Sequence, residues 1–148
     1  MLTDYDIKVI CEKLELPIKG VYMKDELNKV KPKPGSYYVN LDNSDGEGTH
    51  WLLVKISPRG ESIYFDSYGL GMPKEVEEFL SNNKPIISSN KDIQSLRAQT
   101  CGWYCIGCDY YIENNIGGFD KKFEEFIDFW SDNPIENNKL LRKFFSPL

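Results

Sequence analysis

Residues 50–66, HWLLVKISPRGESIYFD, read as two strands joined by a tight connection. His50 to Ile56 and Ser62 to Asp66 are rich in aliphatic, β-branched and aromatic side chains, the composition of a buried strand. Between them, Ser57-Pro58-Arg59-Gly60 fits a type I turn closed by a left-handed glycine bulge, with proline presetting φ. This loop pairs Ser57 with Glu61, which puts Leu52 opposite Asp66 and His50 on the same face as Asp66, one diagonal step away. A slip of one residue would send imidazole and carboxylate to opposite faces. The turn chemistry therefore decides whether the two can meet.

Upstream, Thr3 is an N-cap for a helix carrying Ile7, Ile10, Cys11 and Leu14 on one stripe, ended by Pro17 and Gly20. Residues 24–30 predict a short second helix, stopped by Pro32. Lys29, Lys31 and Lys33, interleaved with Pro32 and Pro34, read as a solvated loop rather than a binding patch. Residues 36–41 predict a strand. The polar run 42–48 before His50 predicts a mobile flap hinged at Gly46 and Gly48. Downstream come a surface helix over 74–80 with Val76, Phe79 and Leu80 inward, and a strand over 85–88. A nearly all-apolar and hence central helix follows over 101–111. Two further helices carry Phe123, Phe126, Ile127 and Trp130, then Leu140, Leu141 and Phe144. The expected class is α+β: a small, mainly antiparallel sheet packed against helices, one domain over residues 1–148.

Composition bounds the function. At 41% hydrophobic and 14% aromatic the chain is globular, and at 148 residues it can bury a core without disulfides. A net charge of −5 argues against nonspecific DNA binding, which needs clustered Lys and Arg. No stretch approaches the roughly 18 apolar residues of a membrane span, and the first residues lack a secretory pattern. Cys101, Cys105 and Cys108 share one helix face, too close in sequence to close useful loops. They read as reduced thiols in an intracellular setting.

One of these cysteines is singled out by position. In QSLRAQTCGWYC, residues 94–105, Cys101 opens the apolar helix, where the helix dipole and free N–H groups favour a thiolate. Gly102 beside it permits close approach of a substrate backbone. His50, the chain's single histidine, is the available general base, and Asp66 would orient it. Gln94, seven positions before Cys101, can donate a hydrogen bond to an oxyanion without carrying charge. Taken alone, each residue has an ordinary reading: a satisfied core histidine, a turn aspartate, a loop glutamine. Together they fill all the roles of a thiol acyl-transfer site, with none filled twice. Papain-type order, with histidine after cysteine, is excluded. Three cysteines on one continuous helix are poorly disposed to wrap zinc or an iron–sulfur cluster, so no metal or cofactor is expected.

The same residues resemble the adenain type of cysteine protease, the family of the adenovirus maturation enzyme, and more distantly the proteases of ubiquitin-like proteins. The pattern is His50-Trp51, Asp66-Ser67-Tyr68-Gly69, Gln94 and Cys101-Gly102, in family order and with an adenain-like step from Gln94 to Cys101. It extends to Gly20-Val21-Tyr22 and covers roughly residues 3–115. The resemblance implies an endopeptidase of a virus or virus-like element, acting as a monomer on capsid or core precursors, next to small residues such as glycine. Catalysis would fall to His50, Asp66, Gln94 and Cys101, with Trp51 and Gly102 contacting substrate. It places the enzyme in host cytoplasm or a viral factory, and in the virion. Stimulation by DNA or a disulfide-linked peptide is not expected of an acidic chain with no cysteine between Cys11 and Cys101. Removal of ubiquitin-like modifiers, or an inactive binding module, are the alternatives.

Overall fold

In the computed structural model, described over residues 1–95 and 98–145, five strands form one sheet in the order β1 (Ile18–Met23), β2 (Gly35–Asn40), β3 (Trp51–Ile56), β4 (Ser62–Phe65) and β5 (Ile86–Ser88). The α+β class is as expected. The sheet, however, is mixed: β2–β3 and β3–β4 are antiparallel, while the outer pairs β1–β2 and β4–β5 are parallel. The turn between β3 and β4 has the expected chemistry, with Ser57 N–H donating to Glu61 at 2.9 Å and Gly60 at φ 99°. The ladder runs Ile56↔Ser62 to Leu53↔Phe65 and so continues toward Leu52 and Asp66 in the predicted register.

Both faces of the sheet are covered, which explains why β3 reads as a continuous apolar run. Period-two alternation divides it. Trp51 and Leu53 join Tyr38, Ile63 and Phe65 under helix α3 (Cys101–Asn114), flanked by α1 (Asp4–Lys13), α4 (Phe119–Phe129) and α5 (Pro134–Phe145). Leu52, Val54 and Ile56 join Tyr37, Val39 and Tyr64 on the other face, under α2 (Lys74–Phe79) and a 3-10 helix over Lys24–Lys29. Leu52, Leu53 and Val54 have no exposed surface, and full burial of each contributes about 1.5–3 kcal/mol. Phe126 ties α4 to the rest through edge contacts with Phe65, Trp130 and Phe144.

The alternation also forces Lys55 onto the α3 face, where it is 4% exposed. Its ammonium donates to Ser36 Oγ and Asp109 Oδ1 at 2.8 Å each, and to Glu113 at 2.5 Å. Tyr38 donates to the other Asp109 oxygen at 2.8 Å. Two carboxylates of the central helix, the buried Asp109 and the more exposed Glu113, are thus matched to the one strand lysine.

At α1, Thr3 and Asp6 form a reciprocal capping box. The helix stops before Pro17: Glu15 turns left-handed at φ 57°, and Leu16 N–H bonds back to Cys11 at 2.8 Å, a Schellman arrangement. Gly20 lies inside β1 rather than ending the helix, and the predicted helix at 24–30 is a 3-10 turn.

Candidate active site

The start of β3, the end of β4 and the first turn of α3 bring together three side chains distant in sequence. His50 Nε2 lies 2.6 Å from Asp66 Oδ1, and both residues are buried. Asp66 is fixed by the turn after β4: its oxygens accept from Tyr68 N–H at 2.9 Å and Leu70 N–H at 3.3 Å, and Gly69 N–H returns to the Asp66 carbonyl at 2.8 Å. Gly69 adopts φ 71°, and a Cβ there would stand 2.5 Å from the Asn90 carbonyl oxygen, so the turn requires glycine. The Tyr68 ring stacks on the His50 ring, centroids 4.3 Å apart and 18° from parallel, closing the outer face of the imidazole.

With Nε2 given to Asp66, the other ring nitrogen of His50 is the one left to serve Cys101, and imidazole and thiol act on each other's ionisation. Cys101 sits at the first position of α3 and is 2% exposed. Burial pushes its thiol up, but the bond from His50, the Trp51 N–H at 3.4 Å and the charge of His50 together bring it below the ordinary cysteine value. His50 shows the complementary behaviour: burial opposes its cationic form, yet Asp66 and Cys101 raise it to about 9. The two shifts act in the same sense, each favouring a thiolate–imidazolium pair.

The two backbone polar groups of Trp51 each engage α3. Its N–H donates to Cys101 Sγ, and its carbonyl accepts the Cys105 thiol at 3.4 Å, one turn further on. Burial drives Cys105 and Cys108 well above the ordinary thiol value, and Cys11 to about 11, so the other three thiols are held protonated. Among the described residues no cluster of His, Cys, Asp and Glu is arranged to hold a metal ion.

Gln94 is 1% exposed and braced at both ends of its carboxamide. Ser67 Oγ donates to its oxygen, and its amide donates to the Ala98 carbonyl at 2.8 Å; Gln94 N–H also bonds to the Ser67 carbonyl at 3.2 Å. Because Ala98 takes a single N–H, one amide hydrogen is left over. Leu96 and Arg97, in the loop between Gln94 and Cys101, lie outside the described residues.

Trp51 and Gly102 meet the chain's own first residues. The Trp51 indole N–H donates to the Leu2 carbonyl at 2.7 Å, and a Cβ on Gly102 would fall 2.9 Å from Leu2 Cδ1. Gly102 thus makes room for Leu2. The loop at 42–48 is pinned rather than free: Asp42 accepts Gly48 N–H at 3.1 Å, Asn40 accepts Thr49 N–H at 3.1 Å, and Ser44 bonds to Asp25 through both N–H and Oγ. Sequence reasoning missed three contributors: the Tyr68 ring, the Ser67 hydroxyl and the Trp51 backbone. The first two stand in the Asp66-Ser67-Tyr68-Gly69 motif, where the alternation of a turn could have exposed them; a main-chain donor leaves no mark in sequence.

No protein-family model and no curated protein matches the chain. Among solved structures the fold is similar to the crystal structure of the selenomethionine ASFV pS273R protease, with a TM-score of 0.51 at 22% identity. The match covers 76% of this chain and 45% of that one, so the chain spans less than half the length of the protein it resembles.

Proposed function

We propose that this chain is a cysteine peptidase in which Cys101 attacks a scissile carbonyl, and that it processes viral precursor proteins beside small residues. The observation that carries the reading is the contiguous series Asp66–His50–Cys101, with a 2.6 Å bond at its acidic end and a thiol held below its ordinary value at the other. Likeness of fold to a protein described as a protease supports it.

In this mechanism the Cys101 sulfur adds to the carbonyl carbon. The resulting oxyanion is met by the free Gln94 amide hydrogen and the Cys101 N–H at the start of α3. His50, already cationic, gives its proton to the departing amine, and the acyl group remains on Cys101 as a thioester. Neutral His50 then takes a proton from water as the water attacks the thioester, which frees the second product and restores the thiolate. Asp66 stabilises each cationic stage of His50 and holds the ring in place. Ser67 keeps the Gln94 amide turned so that its N–H groups, not its oxygen, face the reacting side.

The test is incubation of the purified chain with structural precursor proteins of a virus, alongside Cys101→Ala and a ubiquitin-like modifier–fluorophore conjugate. Discrete cleavage of a precursor that disappears in Cys101→Ala supports the proposal. Faster hydrolysis of the modifier conjugate would move the substrate class, and retention of cleavage in Cys101→Ala would end it.

A further inference from the structure

Leu2 meets both residues that adjoin the nucleophile. Its carbonyl accepts from the Trp51 indole N–H at 2.7 Å, and the backbone N–H of that same tryptophan donates to Cys101 Sγ at 3.4 Å. Its side chain lies against Gly102: a Cβ there would stand 2.9 Å from Leu2 Cδ1, 3.2 Å from its Cβ and 3.3 Å from its Cγ. One residue earlier, the Met1 nitrogen donates to Gln99 Oε1 at 2.9 Å, in the stretch that leads into Cys101. Residues 1 and 2 therefore bridge β3 and the approach to α3, the two elements between which the sulfur lies.

With Cys101 2% exposed and His50 5% exposed, a peptide carbonyl reaches the sulfur only if a neighbour yields. Trp51 and Gly102 are built into β3 and α3, and Tyr68 is tied to Asp66 through its N–H. Leu2 is held more lightly. Residues 1 and 2 lie outside any helix or strand, Leu2 is only partly buried and Met1 is 45% exposed. Among the described residues they are held by the two hydrogen bonds above and the apolar contact with Gly102. Their root is firm: Thr3 caps α1, and its carbonyl accepts Ile7 N–H at 3.1 Å. A turn about Thr3 releases both bonds without opening the helix. A cleft of about 270 Å³ alongside, bounded by Leu2, Val21, Met23, Gly48 and Trp51 among others, gives the leucine side chain space to move into.

From these observations we infer that residues 1 and 2 are a built-in occupant of the substrate track, which a peptide displaces in order to reach Cys101. The Leu2 carbonyl stands in for a main-chain carbonyl of the substrate at the Trp51 indole N–H, and the Leu2 side chain fills the approach over Gly102. Displacement swings the segment out about Thr3 and hands the indole donor to the incoming chain. The inference rests on the peptidase reading and adds its regulation: the chain competes with its own substrate, so the effect falls on KM rather than on kcat. A seat filled from within about nine-tenths of the time lowers the apparent affinity for a peptide about tenfold.

The experiment compares two electrophiles on Cys101 of the full chain. Iodoacetamide is too small to need the seat, whereas an acetylated tripeptide chloromethyl ketone ending in glycine has to bring a backbone into it. The ratio of the ketone rate to the iodoacetamide rate cancels the thiolate fraction. Leu2→Asn removes the apolar contact with Gly102 and keeps the main chain. It should raise that ratio on the order of tenfold with the melting temperature in place, and lower KM of a cleaved peptide on the same scale with kcat little changed. Leu2→Met, close in volume, should keep the wild-type ratio. An unchanged or smaller ratio in Leu2→Asn, or failure of the ketone to label either protein, overturns the inference and leaves the peptidase intact. A raised ratio with no cleavage of any precursor or peptide overturns the peptidase and keeps the built-in occupant. Absence of Cys101 labelling by both reagents ends the two together.

Discussion

Asp66→Asn isolates the charge that acts on His50 and through it on Cys101, because asparagine keeps an oxygen for His50 Nε2–H and removes the anion. His50 is raised from 6.5 to about 9 against the pull of burial. That difference corresponds to about 3 kcal/mol in favour of the imidazolium, supplied by Asp66 and Cys101 together. The hydrogen bond to Asp66 is the first of the raising influences. Losing its charge should lower the imidazolium-to-imidazole ratio on the order of 30- to 100-fold, and the thiolate fraction of Cys101 should fall with it. The assay is alkylation by limiting iodoacetamide from pH 5 to 9, read by peptide mass mapping, with Cys11, Cys105 and Cys108 as internal references. Wild type should label at Cys101 alone near pH 6, and Asp66→Asn should label there at least about tenfold more slowly. Linkage gives a second readout with a defined sign. A raised histidine stabilises the fold fully below about 6.5 and loses that contribution as pH rises through about 9, so the variant should be less stable chiefly at low and neutral pH. Superimposable pH–rate profiles, or faster labelling of Cys105 than of Cys101, would refute the reasoning.

Lys55→Met should cost about 3–5 kcal/mol in urea denaturation, since Asp109 is left as an uncompensated buried charge, and adding Asp109→Leu should recover much of it. A double variant no more stable than the single one would contradict that account. Gln94→Ala should lower kcat on the order of 100-fold with KM little changed, and Ser67→Ala should lower it less; equal kcat in wild type and Gln94→Ala removes the oxyanion role. Gly102→Ala should displace Leu2 at a cost of about 1–3 kcal/mol and release the first residues from Trp51, seen as faster hydrogen exchange at residues 2–4. Unchanged exchange there would show that Leu2 can simply turn aside.

The hairpin register was readable because it follows from a local cause: one proline, one glycine and a period of two. The same holds for the approach of His50 to Asp66 and for Cys101 at the head of a helix. β1 was not readable. Ile18–Met23 contains Lys19 and Gly20, shows no alternation of burial, and is a strand because β2 is there to pair with it, including a register shift between Ile18 and Gly20. Parallel edges have a similar origin, since long connections rather than turns set their direction. Lys55 in the core could be placed only once Asp109, in a distant helix, was known to face it. At the site, side-chain types singled out Asp66, His50 and Cys101, which the fold brings together, whereas the ring of Tyr68 over His50 and the bracing of Gln94 by Ser67 depend on how one turn folds back.

The hold that Trp51 exerts on Cys101 and Cys105 is made by main-chain atoms. Exchange of the indole for another ring would leave it in place, and so would most point changes along β3. What disturbs it is a change of length: one residue gained or lost in the strand would carry a different amide to the sulfur and shift the whole Asn40↔Trp51 pairing. The position is therefore open to drift in chemistry and closed to drift in spacing. The single-atom way to remove the contact is an ester in place of the amide at Trp51, made by semisynthesis.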